Sequence, residues 1–201
     1  MRTLPNMTVI VPCDAAETKK AVIAAAQMDG PVYLRIARPP APVITREEDP
    51  FTVGRANILR DGGDIAILAT GLMVYRALQA ADLLKQAGVR AAVVNVHTIK
   101  PLDREVVIQM AQKTGRMITV EEHSVIGGLG SAVAEVLSEN IPVRLKRIGI
   151  ADQFGQSGTP EGLLDHYGLS AANIVKVAQE MVRKVKADGI NIFGSNYSQQ
   201  L

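Results

Sequence analysis

Along the chain, short runs of apolar and β-branched residues alternate with longer stretches whose apolar positions recur with helical spacing. This alternation predicts strands and helices in succession. Strands are expected over 7–11, 32–36, 57–59, 65–69, 91–96, 117–121 and 143–148. Helices are expected from residue 14, where Asp14 and Glu17 stand in capping-box order, and over 74–87, 104–114, 129–139, 160–166 and 171–185. The strands IAILAT, AAVVNV and MITV are apolar on both faces, as in a parallel sheet covered by helices on each side. Asp61-Gly62-Gly63 is a turn signal, which predicts that the run around Ile58 pairs antiparallel with the strand that follows it, at an edge. Residues 53–186 therefore read as an α/β domain, a three-layer doubly wound and mostly parallel sheet with an antiparallel edge strand. Residues 1–38 read as a partial α/β unit, because one helix and two strands cannot bury a two-faced sheet alone. Between them, residues 39–52 carry Pro39, Pro40, Pro42 and Pro50 around a charged stretch, a composition that predicts an extended connector instead of a packed element. The tail over 187–201 has no periodicity and is expected to be flexible or docked on a partner.

Composition narrows the function classes. Lys and Arg total 22 against 20 Asp and Glu, so no global basic field draws the chain to nucleic acid or to an acidic membrane surface. The longest apolar run is broken by Thr70 and Gly71 and falls far short of the ~20 residues that a bilayer span needs. A soluble protein is expected, and the single cysteine, Cys13, fits a reducing cytoplasm. Cys13 precedes a helix whose N-terminus could lower its pKa, but no histidine or second cysteine lies nearby, and a small residue filling a turn explains it.

The densest group of candidate functional residues is VEEHSVIGGLGSA. Glu121, Glu122 and His123 end a strand on the side where open α/β sheets hold their ligands, and Gly127, Gly128 and Gly130 lead into a helix N-terminus suited to an anion. The spacing is neither G-x-G-x-x-G nor a P-loop, and tight packing of helix against sheet accounts for the glycines as well. The three polar residues read either as an acid–base pair or as a polar cluster at a subunit contact. A metal site would need further ligands, and His97 and His166 show no ligand spacing with His123. Asp103 is explained as a helix cap.

Taken together, RTLPNMTVIVPCDAAETKKAV, DGPVYLRIAR, ATGLMVYRALQAADLLKQAGVRAAVVNVHTIKPLD, VEEHSVIGGLG and DQFGQSGTPEGLLDHYGLS resemble consecutive segments of the C-terminal part of transketolases. The resemblance covers residues 1–186. The same architecture serves 1-deoxyxylulose-5-phosphate synthases and the E1 β subunits of 2-oxoacid dehydrogenases, and Phe154-Gly155-x-Ser157 is closer to transketolases than to either. The resemblance implies that residues 1–38 end a pyrimidine-binding domain and that 53–186 form the C-terminal domain. It implies ketol transfer between sugar phosphates by a complete enzyme that uses thiamin diphosphate and Mg2+, with no catalytic residue and no tightly bound cofactor or metal in this chain. An N-terminal transketolase section or missing N-terminal domains, and homo-oligomerisation as a dimer, are the implied partners. Arg2, just before the PNM turn, is implied to reach the substrate phosphate, with the isolated chain leaving it at a frayed terminus. The alternative is a non-catalytic module that supports a dimer or binds a regulatory ligand.

Overall fold

The computed structural model describes residues 1–188, so the expectation for the tail lies almost wholly outside the described residues. In chain order the elements are β1 (Thr8–Ile10), α1 (Ala15–Ala26), β2 (Val32–Leu34), β3 (Asn57–Arg60), β4 (Ile65–Ala69), α2 (Met73–Gln86), β5 (Ala91–Asn95), β6 (Thr98–Lys100), α3 (Arg104–Thr114), β7 (Arg116–Ser124), α4 (Leu129–Asn140), β8 (Arg144–Ile150), α5 (Pro160–His166) and α6 (Ala171–Asp188).

A five-stranded sheet in the order β3-β5-β4-β7-β8 forms the middle layer. Every pairing in it is parallel except β3 with β5. Ile65, Ile67 and Ala69 of β4 pack with Met73, Ala77 and Leu84 of α2 and with Ile174 and Ala178 of α6. The intervening Ala66 and Leu68 pack on the other face with Val107 and Met110 of α3 and Val133 and Leu137 of α4. Alternate residues thus serve opposite layers, and burying each large aliphatic side chain contributes about 1.5–3 kcal/mol.

The expected hairpin is not formed. β3 is an antiparallel edge strand, but its partner is β5, and the Asp61-Gly62-Gly63 turn carries the chain across the start of β5 to reach β4. Both edges of the fully buried β4 are taken by β5 and β7, so the half-exposed β3 is displaced to the rim. The crossing is tight. A Cβ on Gly62 would overlap the backbone of Ala91 and Ala92, and Asp64 is tied to Arg90 by Asp64 N donating to the Arg90 carbonyl (3.0 Å) and Arg90 N donating to the Asp64 carboxylate (2.7 Å).

The first unit gains a third strand from beyond the connector. β1 pairs parallel with β2, and its other edge accepts β6 antiparallel, with Val9 opposite Lys100 and Ile10 opposite Thr98. Thr98-Ile99-Lys100 is only three residues before Pro101, too short a run to read as a strand, which is why the sequence alone shows two strands in this sheet and not three. The connector is likewise held in place. Asp14 caps α1 by accepting from Glu17 N (2.8 Å), and its other oxygen accepts from Ile44 N and Thr45 N (2.7 Å each). Phe51 stacks on His97 with ring centroids 4.4 Å apart.

Candidate functional site

The chain leaves β4 for β5 through α2 and returns from β5 to β7 through α3, on the opposite face. Strand order therefore reverses between β4 and β7, the place where open α/β sheets form a crevice at their carboxyl ends. A cavity of about 280 Å3 lies there, lined among others by Arg2, Tyr33, Arg35, Thr70, Glu121 and His123. β7 runs three residues farther than the sequence suggests, to Ser124, and so all three members of the Glu121–His123 group belong to the strand end.

Glu121 points inward and is 2% exposed. Its two oxygens accept from the amides of Leu129 and Gly130 at the start of α4, both at 2.8 Å. The helix N-terminus thus has an anion, and the anion is the chain's own carboxylate. Burial pushes the Glu121 pKa up, against the lowering effect of the two amides. The three glycines do separate work. Gly127 turns with φ 76°, a conformation that side chains disfavour. A Cβ on Gly128 would overlap the Glu121 carboxylate, and one on Gly130 would press to 2.8 Å on Arg147 and on Thr119 Oγ1. Gly130 therefore answers to helix-against-sheet packing, whereas Gly128 makes room for a carboxylate.

Glu122 faces Arg35, whose Nη2 donates to the Glu122 carbonyl at 2.7 Å and stands 3.5 Å from its carboxylate. His123 is half exposed; its Nδ1 lies 2.8 Å from the Ser124 carbonyl and 3.8 Å from Glu121 Oε2. Arg2 is not frayed. Nη1 and Nη2 donate to the two carboxylate oxygens of Glu135 on α4 (2.7 and 2.5 Å), and Nε donates to the Gly127 carbonyl (3.3 Å). The hydrogen bond to Glu135 raises the Arg2 pKa and the same contact lowers that of Glu135. Arg35, Glu135 and Lys100 carry no local motif, and their place in the site arises only from pairings across the fold. The one local hint for Arg35 is that it follows β2, at the same carboxyl end as the rest.

Cys13 is buried, and burial with the neighbouring Glu17 carboxylate pushes its thiol up, which favours the filling role over a reactive one. His97 is fully buried and stacked, with burial lowering its pKa to about 4. Asp103 caps α3 by accepting from Val106 N (3.2 Å) and also accepts from Ala56 N (2.9 Å). Phe154 stands 98% exposed on the loop before α5. Among the described residues there is no group of three or more His, Cys, Asp or Glu that could hold a metal ion. The cavity's carboxylates are engaged within the chain, Glu121 by two amides and Glu122 beside Arg35, so they do not offer a Mg2+ site, and no chemical step is assigned to a Mg2+-diphosphate group on this chain.

Residues 54–174 match the transketolase C-terminal domain, and residues 1–42 match the transketolase pyrimidine-binding domain. A 6-deoxy-6-sulfo-D-fructose transketolase subunit of Clostridium sp. (strain MSTE9) is 50% identical over 92% of the chain and 57% of its own length. One of the subunits of an apulose-4-phosphate transketolase from Phocaeicola vulgatus is 44% identical over 92% of the chain and 59% of its own length. A solved structure described as a split-gene transketolase, inactive beta4 tetramer, superposes with a TM-score of 0.88 at 47% identity, over 91% of this chain and 60% of that one. The chain thus spans less than two thirds of the length of these relatives, and with this sequence agreement running through both of its sheets it belongs to the transketolase family.

Proposed function

We propose that the chain is the C-terminal part of a ketol transferase, which moves a two-carbon unit between sugar phosphates once joined to an N-terminal section. The observation that carries this reading is the ordered similarity across 92% of the chain to subunits named as transketolases of sugar derivatives. Residues 1–38 then close a pyrimidine-binding domain, 39–52 link it to the C-terminal domain over 53–186, and the remaining residues form a tail. Thiamin diphosphate with Mg2+ would be held by groups outside this chain, and when bound it supplies the carbanion chemistry. Alone, the chain is inactive. It self-associates, and the assembly works in the cytoplasm, a reading supported by its lone, buried cysteine; among the described residues no helix is long and apolar enough to cross a membrane.

Within this assembly the residues of the cavity bind and orient substrate. Arg2 offers a planar, permanently charged donor set to the sugar phosphate, far from the reacting carbonyl, and binding energy gathered there orients the reacting end. Loss of that contact in Arg2→Ala costs about 1.5–3 kcal/mol of transition-state binding. Glu121, Glu122 and His123, with Gly127, Gly128 and Gly130, serve as the wall that fixes the cavity's shape. The test is to combine the chain with its N-terminal section, thiamin diphosphate and Mg2+ and to assay ketol transfer between sugar phosphates. Transfer that requires both sections is expected, and its absence in every reconstituted or full-length form overturns the proposal.

A further inference from the structure

The guanidinium that would meet the substrate phosphate is held by the other end of the chain. Glu135, 133 residues away on α4, takes Nη1 and Nη2, and Gly127 takes Nε through its carbonyl. The backbone beneath is braced as well, since Lys100 Nζ donates to the carbonyls of Arg2 (3.2 Å) and Leu4 (2.6 Å). The Arg2 side chain is only 20% exposed, whereas that of Glu135 is 56% exposed. The arginine is thus enclosed and its carboxylate partner approaches from the solvent side.

We infer that Glu135 is a positioning residue for phosphate recognition, a role that rests on Arg2 being the phosphate-binding group. A guanidinium has five N–H donors. Glu135 and Gly127 occupy three of them, and of the two left, one on Nη1 and one on Nη2 at opposite edges of the plane, each can meet a single phosphate oxygen. Arginine carries considerable rotamer freedom, and a bidentate partner removes it on folding, before substrate arrives, so that binding no longer bears that loss. Glu135 also balances charge near Arg2, whose neighbourhood includes the buried Glu121. Two effects therefore compete. Pairing reduces the net charge seen by a phosphate, while orientation places the free N–H groups. Orientation dominates, because a guanidinium already fixed by Glu135 and Gly127 presents its remaining N–H to a phosphate oxygen at all times, whereas a wandering side chain presents it only part of the time. In this arrangement α4 and β6, both beyond the connector, set the aim of a residue at the other end of the chain.

The experiment uses the complete enzyme, loaded with thiamin diphosphate and Mg2+, and compares ketol transfer to a phosphorylated aldose with transfer to the same aldose lacking phosphate. The reading is the ratio of the two kcat/KM values. Arg2→Ala sets the scale. Glu135→Gln is expected to lower the ratio by about 5- to 20-fold, chiefly through KM for the phosphorylated aldose, with Glu135→Asp recovering part of the loss. The double variant should match Arg2→Ala alone, since a missing arginine cannot be mispositioned. An unchanged or raised ratio in Glu135→Gln, losses that add in the double variant, or an equal fall in kcat for both aldoses overturns the inference. If Arg2→Ala lowers the ratio while Glu135→Gln does not, only the positioning role fails; if Arg2→Ala leaves the ratio intact, the phosphate reading of Arg2 fails and the positioning role with it. Thermal unfolding of each variant checks that the exposed substitution leaves the fold intact.

Discussion

Alanine in place of Gly128 would put a methyl group where Glu121 Oε2 now lies. The backbone there, at φ −93° and ψ −150°, accepts alanine without strain, so the whole effect is steric and falls on the carboxylate. β7 is paired with both β4 and β8 up to Val120, the residue before Glu121, so the strand is anchored there and the carboxylate is the group free to swing away. It then gives up two hydrogen bonds of 2.8 Å to Leu129 and Gly130. Hydrogen bonds to charged groups contribute about 1.5–3 kcal/mol each, but departure also ends the burial that disfavours this carboxylate, so the net loss is about 2–4 kcal/mol. For a chain of this size that lowers Tm by about 5–15 °C. Thermal and denaturant unfolding of Gly128→Ala, Glu121→Ala and the double variant gives a closed cycle. Each single change should show a loss of that size, and the double variant should be little worse than Glu121→Ala, because no carboxylate remains for the methyl to displace. A Gly128→Ala protein within about 0.5 kcal/mol of the native one, or losses that simply add, refutes the reasoning.

Acid titration should expose His97. Its pKa falls from 6.5 to about 4 in the folded state, so the stability it contributes is complete above 6.5 and is lost as pH drops towards 4. Burial raises Glu17 and Glu121, which act oppositely, contributing at low pH and losing it as pH climbs through their raised values. Comparison with His97→Gln isolates the histidine: the native advantage should shrink by about 2 kcal/mol between pH 7 and 4.5, and a constant difference counts against it. Gly62→Ala should cost about 2–4 kcal/mol in denaturant unfolding by forcing the turn off β5, whereas Gly63→Ala, which meets only the end of the Arg90 side chain at 3.4 Å, should be mild; equal effects would contradict the crossing geometry. Calorimetric titration of the isolated chain with thiamin diphosphate and Mg2+ should give no response at micromolar affinity, and a micromolar or tighter one would sink the claim that the cofactor's ligands lie elsewhere.

The sequence made the middle layer plain because its strands are apolar on both faces and the helices between them keep helical spacing, with α3 starting at its own cap, Asp103. Partner choice between strands was less legible. Asp61-Gly62-Gly63 looks like a hairpin turn, and nothing local records that the rim of β5 is free while both edges of β4 are committed. In the candidate site, Glu121 and the glycines stood out because they are neighbours in sequence, whereas the Arg2–Glu135 pair joins residues 133 apart and leaves no local trace. Gly128 shows the limit of motif reading. Its place before a helix suggests an open anion site, and only the direction of the Glu121 side chain shows that the site is filled from within.

The pairing of β1 with β6 has a consequence for how the chain is made. During synthesis, the edge of β1 that receives Val9's partner stays bare until Lys100 has left the ribosome, by which time the connector, β3, β4, α2 and β5 have already emerged. Closing so long a loop is slow, and a bare strand edge in the interval invites wrong pairing. Once closed, the ladder joins the two sides of the connector independently of it. A protease that nicks the chain between Pro39 and Pro50 should therefore leave the two pieces bound to each other by the pairing of β1 with β6, and a gel would show two bands where size exclusion shows one particle.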